Sequence, residues 1–176
     1  MEKPAIEIRS IDAAHRADAR LKNEAFALWG RVIPTLENGK WSYRVERFST
    51  PGTDCFPDEP YDPAEDDAIF LGAYEADTCV GLAVLRRDMF RYLLLDDLKV
   101  CAAARGKGVG RLLIEACMAE ARRLGLHGVR VVAQDNNASA CLFYLACGFS
   151  IGGFDNRNYG GTVQAGKADL YFYRDL

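Results

Sequence analysis

Hydrophobic and polar residues along the first quarter of the chain follow patterns that predict two strands and a helix. Residues 6–11 alternate between the two classes, which is typical of a short strand, and Asp12 then suits the N-cap of a helix. Apolar residues recur every three or four positions over residues 13–33, so we expect a helix with one apolar face that ends at Pro34. Alternation over residues 41–46 predicts a half-buried strand.

A proline-rich acidic segment follows. Residues 49–68 hold four of the six prolines and seven carboxylates, so we expect them to form a loop. A loop of this length is unusual in a compact domain, and such loops are generally either functional or disordered. The sequence leaves both alternatives open.

Apolar runs at residues 69–75 and 80–86, separated by a polar turn, predict a β-hairpin. The next apolar run, at residues 92–100, is interrupted in its middle by Asp96 and Asp97. Side chains alternate along a strand, so we expect these two carboxylates to point to opposite faces.

The last part of the chain alternates strands with helices. A helix is expected from Val109 to about Gly125, and a second helix, capped by Asp135 or Asn136, is expected to end near Gly148. Short strands precede and follow this second helix. The element order predicts an α/β (α+β) fold class with helices packed on a sheet.

Composition restricts the class of protein. A chain of 176 residues with 49% hydrophobic and 27% charged residues is expected to fold as a single domain, residues 1–176. The net charge of −3 argues against a nucleic-acid partner. We find neither a signal peptide pattern nor the run of about 20 apolar residues that a membrane span requires. A cytoplasmic protein without a membrane partner is therefore expected.

The six cysteines stand singly among apolar neighbours, and none forms a C-x-x-C pair. This arrangement indicates buried thiols in a reducing compartment. Only His15 and His127 could add imidazole ligands, and neither has a partner at metal-ligand spacing, so no metal site is expected.

Charge is distributed unevenly along the chain. Residues 49–85 hold nine acidic residues and no Lys or Arg, a net charge of −9. The remaining residues hold all 22 basic and 16 of the 25 acidic residues, a net charge of +6. An acidic loop of this kind suits a cationic substrate, although solubility alone would also explain its charge.

A glycine-rich turn follows the interrupted apolar run and leads directly into the predicted helix at Val109. Its glycines allow close approach to the backbone, the helix dipole adds partial positive charge, and its basic side chains add full charges. We therefore expect an anionic phosphate group to bind here. The segment reads Arg105-Gly106-Lys107-Gly108-Val109-Gly110-Arg111.

Two familiar phosphate-binding motifs do not match this turn. The Walker motif requires Lys and then Ser or Thr after its second glycine, whereas Arg111-Leu112 follows Gly110. The dinucleotide motif G-x-G-x-x-G, started at Gly106, has Arg111 at its last position and no preceding β-α-β half.

The R-x-x-G-x-G spacing of Arg105, Gly108 and Gly110 resembles the acetyl-coenzyme A signature of the GNAT N-acetyltransferases. The segment from Asn137 to Phe149 independently resembles that family's N-x-x-A-x-x-F-Y-x-x-x-G-F pattern. Several segments from Asp96 onward, including Asp96-Asp97-Leu98 and Gln134-Asp135-Asn136-Asn137, look like the streptothricin acetyltransferase branch.

The resemblance implies a central mixed, mostly antiparallel sheet with helices on both faces, and acetyl-CoA as cosubstrate. It also implies which residues hold acetyl-CoA, at the end of the strand, in the glycine turn and in the second helix. They are Leu98, Lys99, Val100, Arg105, Gly106, Lys107, Gly108, Val109, Gly110, Arg111, Asn137 and Tyr144.

By the same resemblance, acetyl passes directly from the thioester to an amine. An ammonium group with a pKa of about 10.4 must first lose a proton, so Asp96 or Asp97 is a candidate base, with Asp96 preferred on the acceptor side. The family motif identifies Tyr144 as the acid that protonates the departing thiolate; packing in the core is the alternative role.

Three functions agree with these residues. The first is acetylation of a primary amine on a cationic small molecule, of which a streptothricin-type antibiotic is the leading example. The second is acetylation of a peptide or protein amine, and the third is binding of acetyl-CoA without catalysis. The oligomeric state stays open, with a homodimer among the alternatives.

Overall fold

The computed structural model of the chain describes residues 5–64 and 67–176. It divides into two compact units. The first comprises the described residues of Met1–Glu24 together with Phe56–Val129 and Asp175–Leu176, and the second comprises Ala25–Cys55 and Arg130–Arg174. Within the described residues, no helix has the length and apolar character needed to cross a membrane.

Nine strands and two α-helices are present in the described residues. Two short 3-10 helices, Ala13–Arg20 and Ala102–Ala104, accompany them. In chain order the elements are β1 (Ile6–Ser10), β2 (Phe26–Glu37), β3 (Lys40–Asp54), β4 (Ile69–Glu75), β5 (Thr78–Arg87), β6 (Tyr92–Val100), α1 (Val109–Arg123), β7 (Gly128–Gln134), α2 (Ala138–Ala146), β8 (Ser150–Asp155) and β9 (Asp169–Asp175).

The first unit contains an antiparallel sheet in the order β1, β4, β5, β6. Leu82 and Val84 of β5 pack on one face with Ala19 of the first 3-10 helix, in a fully buried cluster. On the other face α1 approaches so closely that a Cβ at Gly81 would lie 3.1 Å from the Leu113 side chain. Helical segments therefore cover both faces of this sheet.

The second unit is built around the long antiparallel hairpin of β2 and β3. Asn38 and Gly39 form its two-residue turn, with φ values of +50° and +73°, and Glu37 is in register with Lys40. Strand β9 lies between β7 and β8 and pairs antiparallel with β8. Helix α2 packs against β2.

The prediction of a helix over residues 13–33 is wrong beyond Arg20. Its first part is the 3-10 helix Ala13–Arg20, capped by the Asp12 side chain, whereas β2 begins at Phe26. Pairing with β3 over eleven positions decides the conformation, because a ladder of backbone hydrogen bonds outweighs the weak helical periodicity. Pro34 is tolerated because position 34 lies on the same side of β2 as Val32, whose N–H points away from β3 to the Asp135 carbonyl, so the missing N–H removes no hydrogen bond of the hairpin.

Most of the other predicted elements are confirmed within a few residues, as is the fold class, a mixed α/β fold with a mostly antiparallel sheet. The half-buried strand expected over residues 41–46 is instead the longer and mostly exposed β3, because within the described residues it pairs only with β2. The cap expected at Asp135 or Asn136 is also wrong, because the side chain that accepts from the first turn of α2 is that of Asn137.

The predicted loop over residues 49–68 begins later, because β3 extends to Asp54. Two acidic residues of that loop, Glu65 and Asp66, lie outside the described residues. That residues 1–176 act as a single domain stays a prediction.

Candidate active site

The glycine turn lies in the first unit, between β6 and α1. After the 3-10 helix Ala102–Ala104, the chain passes through Gly106 at φ +72° and Gly108 at φ +86°. Both values are in the left-handed region, which favours glycine because it has no Cβ. A Cβ added at either position would meet no atom within 4 Å, so the turn presents open backbone.

The N-terminus of α1 is capped by no side chain of the residues that the structure describes. Gly108 is its N-cap residue, and the Leu112 N–H donates the first intrahelical hydrogen bond, to the Gly108 carbonyl at 3.1 Å. The preceding N–H groups have no acceptor within the helix, and the helix dipole polarises them positively. Lys107 and Arg111 are exposed beside them. This arrangement can bind an anion such as a pyrophosphate.

Arg105 is held at the beginning of the turn. Its Nε donates to the Val100 carbonyl at 3.0 Å, and its guanidinium lies 3.8 Å from the Glu24 carboxylate. The same carboxylate accepts a hydrogen bond from the Ala102 N–H at 2.5 Å. Sequence reasoning missed Glu24, because nothing in its own segment indicates that it contacts this turn.

Asp96 and Asp97 lie at a β-bulge. Val84 of β5 is in register with Asp97 and Leu85 with Leu95, so Asp96 is the extra residue of β6. Bulges are frequent next to active sites because they redirect side chains. The bulge explains the interruption of the apolar run.

Each of these carboxylates has a cationic neighbour. Asp96 accepts from the Arg86 Nε at 2.8 Å, and its side chain is 36% exposed. Asp97 lies 2.9 Å from the Nζ of Lys99, whose side chain is only 8% exposed. Asp97 therefore compensates a buried positive charge, whereas Asp96 is the more accessible carboxylate.

Tyr61 is a further residue of this region that sequence reasoning missed. It belongs to the proline-rich segment, yet it is buried, with its ring 5.8 Å from Phe70 and 5.7 Å from the Lys99 ammonium. Burial raises the pKa of its hydroxyl, and the charges of Asp97 and Asp96 raise it further. An aromatic residue within an acidic loop was the signal that could have identified it.

The proline-rich segment is attached to the first unit through its acidic side chains. Asp58 accepts a hydrogen bond from the Asn23 N–H at 2.7 Å, and Asp62 lies 3.5 Å from Arg20. The acidic loop was expected to suit a cationic substrate. Two of its carboxylates, those of Asp58 and Asp62, also attach the loop to residues 20–23.

Strand β6 continues from the bulge to the glycine turn. Its last three residues are paired with β5, with Leu98 opposite Ala83, Lys99 opposite Leu82 and Val100 opposite Gly81. The first unit thus brings together the two aspartates, the strand end and the glycine turn.

Asn137 and Tyr144 belong to the second unit and share α2. Asn137 is the N-cap of this helix, and its Oδ1 accepts from the Ala140 N–H at 3.1 Å. Its amide nitrogen is a donor that this cap does not use. Asn137 therefore caps α2 with its amide oxygen, and its amide nitrogen can donate to a ligand.

Tyr144 is 7% exposed and lies in an aromatic cluster. Its ring centroid is 5.4 Å from Phe143, 5.7 Å from Phe149 and 5.8 Å from Phe172. Core packing fixes the ring, and a fixed phenol is a requirement for an acid that must meet one departing atom.

All six cysteines are thiols, and only Cys55 is exposed. Burial raises the pKa of Cys79 to about 11 and the pKa values of Cys117 and Cys141 to about 12. The histidines have other neighbours, because His15 contacts Asp12 and His127 contacts Asp175. Cys79, Cys117 and Cys141 are therefore poor nucleophiles for an acetyl-cysteine intermediate.

A thiol reagent at pH 8 is expected to modify Cys55 first, because it is the exposed cysteine among the six, and Cys79, Cys117 and Cys141 far more slowly. A thiol of pKa about 11 is a thiolate in only about one molecule in a thousand at pH 8. Ellman titration of the wild type and of Cys55→Ser would check this, and the variant should lose the fast phase. A fast phase that survives in Cys55→Ser would contradict it.

The acetyltransferase (GNAT) family model matches residues 34–149 of the chain. Streptothricin acetyltransferase A of Bacillus subtilis (strain 168) is 34% identical over 160 residues, which cover 89% of this chain and 92% of that protein. A streptothricin acetyltransferase of Escherichia coli is 32% identical over 64% of this chain and 65% of that protein.

Solved structures agree with these relatives. One is a Bacillus anthracis str. Ames protein, named as a candidate streptothricin acetyltransferase and solved in complex with acetyl coenzyme A. Its structure matches this chain with a TM-score of 0.88 at 26% sequence identity, and the match covers 98% of this chain and 100% of that chain. A nourseothricin acetyltransferase has a TM-score of 0.80, also at 26% identity, over 97% of this chain and 98% of that chain.

Proposed function

Because this chain belongs to the GNAT family and is an acetyl-CoA-dependent N-acetyltransferase, we propose that its acceptor is a primary amine of a cationic small molecule of the streptothricin type. The observation that carries the cofactor assignment is the turn of Gly106 and Gly108, which leads into an uncapped helix flanked by basic side chains. The acceptor class is supported by the names of its relatives and by the acidic loop.

In the proposed binding of acetyl-CoA, the pyrophosphate lies on the backbone N–H groups of the glycine turn, with Arg105, Lys107 and Arg111 supplying positive charge. Backbone N–H groups around Val100 polarise the thioester carbonyl, and the Asn137 amide donates to the pantetheine arm. The cosubstrate itself supplies an activated acetyl thioester.

In the proposed reaction, the acceptor ammonium loses a proton to Asp96 or to a bound water. The resulting amine attacks the thioester carbonyl carbon, a C–N bond forms and the C–S bond breaks. Tyr144 gives its proton to the departing thiolate, and the new amide nitrogen loses its remaining extra proton to solvent. We prefer Asp96 to Asp97 because Asp97 compensates the buried Lys99 charge.

We also propose that residues 1–176 act as one acetyltransferase domain in the cytoplasm. Alignment over 92% of a curated relative supports the first statement. The second is supported by six reduced thiols and by dependence on acetyl-CoA, an intracellular metabolite.

The proposed function is tested by an acetyl-CoA consumption assay with streptothricin, free lysine, a polyamine, an aminoglycoside and a peptide as acceptors. Streptothricin is expected to give the highest kcat/KM. Acetylated product is measured by mass, since Cys55 would react with a thiol reagent. Absence of product with every acceptor would favour the binding-module alternative, and preference for the peptide would overturn the acceptor assignment.

Asp96→Asn in the same assay is expected to lower acceptor kcat/KM about tenfold or more, because a general base contributes about a hundredfold or more and bound water can replace part of that contribution. Asp77→Asn is its matched control, because Asp77 lies in the exposed turn between β4 and β5 and its side chain is fully exposed. Equal activity of the two variants would remove Asp96 from the reaction.

A further inference from the structure

A cavity of about 410 Å³ lies within the second unit, beside β2 and the segment that leads into β9. Ile33, Pro34 and Phe154 contribute apolar surface to its lining. Arg31 and Asp135 contribute opposite charges. The cavity thus combines apolar walls with a charged pair, which is the usual composition of a small-molecule site.

The Arg31 guanidinium forms an ion pair with Asp135 in which its Nε makes no hydrogen bond. It packs 5.5 Å from the centre of the Phe48 ring, and its Nε lies 3.7 Å from the Asp135 Oδ2, beyond hydrogen-bond distance. The Nε is buried and has no hydrogen-bond partner in the described part of the chain. At this separation neither charged group gains a hydrogen bond from the other, so a ligand group that contacts both the guanidinium and the carboxylate would supply bonds that the pair lacks.

Asp135 is fixed in position by its backbone and its Oδ1, while its Oδ2 faces the Arg31 guanidinium without a hydrogen bond. Its N–H donates to the Ala168 carbonyl at 2.8 Å, and its carbonyl accepts from the Val32 N–H at 2.9 Å. Its Oδ1 accepts from the Ala168 N–H at 3.0 Å. Among residues 5–64 and 67–176, Oδ2 accepts no hydrogen bond, although the residue is only 5% exposed.

The other charged groups in the lining are already satisfied. The Lys167 ammonium donates to Asp54 at 3.2 Å, Gln134 at 3.3 Å and Gln164 at 3.1 Å, which uses its three protons. Glu46 lies 3.2 Å from Arg44. The binding capacity of the cavity therefore rests on Arg31 and Asp135.

We propose that this cavity binds a neutral amide-type group of the acceptor, a carbamoyl, carboxamide or lactam, whose carbonyl oxygen accepts from the Arg31 guanidinium while its N–H donates to the Asp135 Oδ2. A carboxylate in the same place would be repelled by Asp135, and an ammonium or guanidinium by Arg31. A neutral group with both a donor and an acceptor satisfies the pair without adding charge. This inference rests on the proposed function, because it assigns a second point of recognition on the acceptor.

Arg31→Met tests the kinetic consequence, since methionine keeps an apolar stem against Phe48 and removes every donor. The kcat/KM for streptothricin is expected to fall about tenfold or more, the effect of losing a hydrogen bond from a charged donor, while the KM for acetyl-CoA stays unchanged. Arg44→Met, an equal charge change on the same hairpin, is expected to alter neither value. An unchanged acceptor kcat/KM in Arg31→Met would overturn the inference.

A binding experiment tests the cavity separately from activity. Amide NMR spectra of the full chain are recorded with 2-pyrrolidinone, acetate or guanidinium added. Only the lactam is expected to shift the N–H signals of Val32, Asp135 and Ala168, and Arg31→Met should abolish the shifts. Shifts caused only by a charged probe, or by none of the three, would overturn the inference. A wild type that acetylates no acceptor would instead count against the proposed function.

Discussion

Tyr144→Phe is expected to lower kcat about tenfold or more, because general acid catalysis contributes about a hundredfold or more in enzymes where it operates. The departing thiol has a pKa of about 8.5 and an ordinary phenol one of about 10, close enough for a proton to move as the C–S bond breaks. Phenylalanine retains the ring contacts with Phe143, Phe149 and Phe172, so the substitution removes one oxygen and little packing. Steady-state kinetics with acetyl-CoA and the best acceptor measure the effect.

The KM for acetyl-CoA is expected to stay nearly unchanged in Tyr144→Phe, because the proposed proton transfer occurs only after the cosubstrate is bound. Tyr43→Phe is the matched control. Tyr43 lies on β3 in the same unit, and it is 46% exposed, so loss of its hydroxyl should change neither kcat nor stability. An unchanged kcat in Tyr144→Phe would remove this tyrosine from the proton transfer and leave core packing as its role.

Gly108→Ala is expected to raise the KM for acetyl-CoA about tenfold or more. Gly108 has a φ of +86° immediately before α1, where an alanine would strain the backbone by about 1–2 kcal/mol. Its methyl group would occupy the open side of the turn, where no atom lies within 4 Å and a phosphate would approach. Loss of one hydrogen bond to a charged phosphate is worth about 1.5–3 kcal/mol, which corresponds to that change in KM.

Gly39→Ala separates the loss of phosphate binding from general strain. Gly39 has a φ of +73° in the turn between β2 and β3, and a Cβ there also meets no atom within 4 Å. The two variants are therefore expected to lose similar thermal stability, while only Gly108→Ala raises the KM for acetyl-CoA. Equal KM values would mean that this turn does not hold the phosphates.

Local patterns were sufficient to predict the elements around the glycine turn. Helix α1 has a continuous apolar stripe, a glycine before its first residue and Gly125 after its last, so its boundaries follow from sequence alone. The hairpin of β4 and β5 is similarly predicted by two apolar runs around a short turn. These elements agree with the structure because their local preferences and their tertiary environment favour the same conformation.

The segment before the acidic loop shows where local patterns fail. Apolar residues recur at helical spacing over residues 13–33, and this periodicity led to the wrong prediction of a helix. The turn sequence that follows favours a hairpin instead. Asn38-Gly39 is a preferred two-residue hairpin turn, because both residues adopt positive φ readily. Given that turn, residues 26–37 are expected to pair with residues 40–54, as they do.

Partners of charged groups required the tertiary structure. Asp96 and Asp97 are evident in the sequence, but their pairing with Arg86 and Lys99 is not, and that pairing distinguishes the accessible carboxylate from the one that neutralises a buried ammonium. The same holds for Glu24, whose carboxylate reaches the N–H of Ala102, 78 residues away.

The sequence by itself predicted an anion-binding glycine turn, because such a turn is a property of consecutive backbone N–H groups and glycine spacing. The family and the cosubstrate followed from the resemblance of two short motifs to the GNAT N-acetyltransferases, and the comparisons confirm both. Only the tertiary structure decided which charged side chains have an oppositely charged neighbour at hydrogen-bond distance and which do not. The Arg31 and Asp135 side chains, for example, face each other at 3.7 Å without a hydrogen bond. Such contacts join residues that are far apart in the chain, and nothing in either local segment specifies the other.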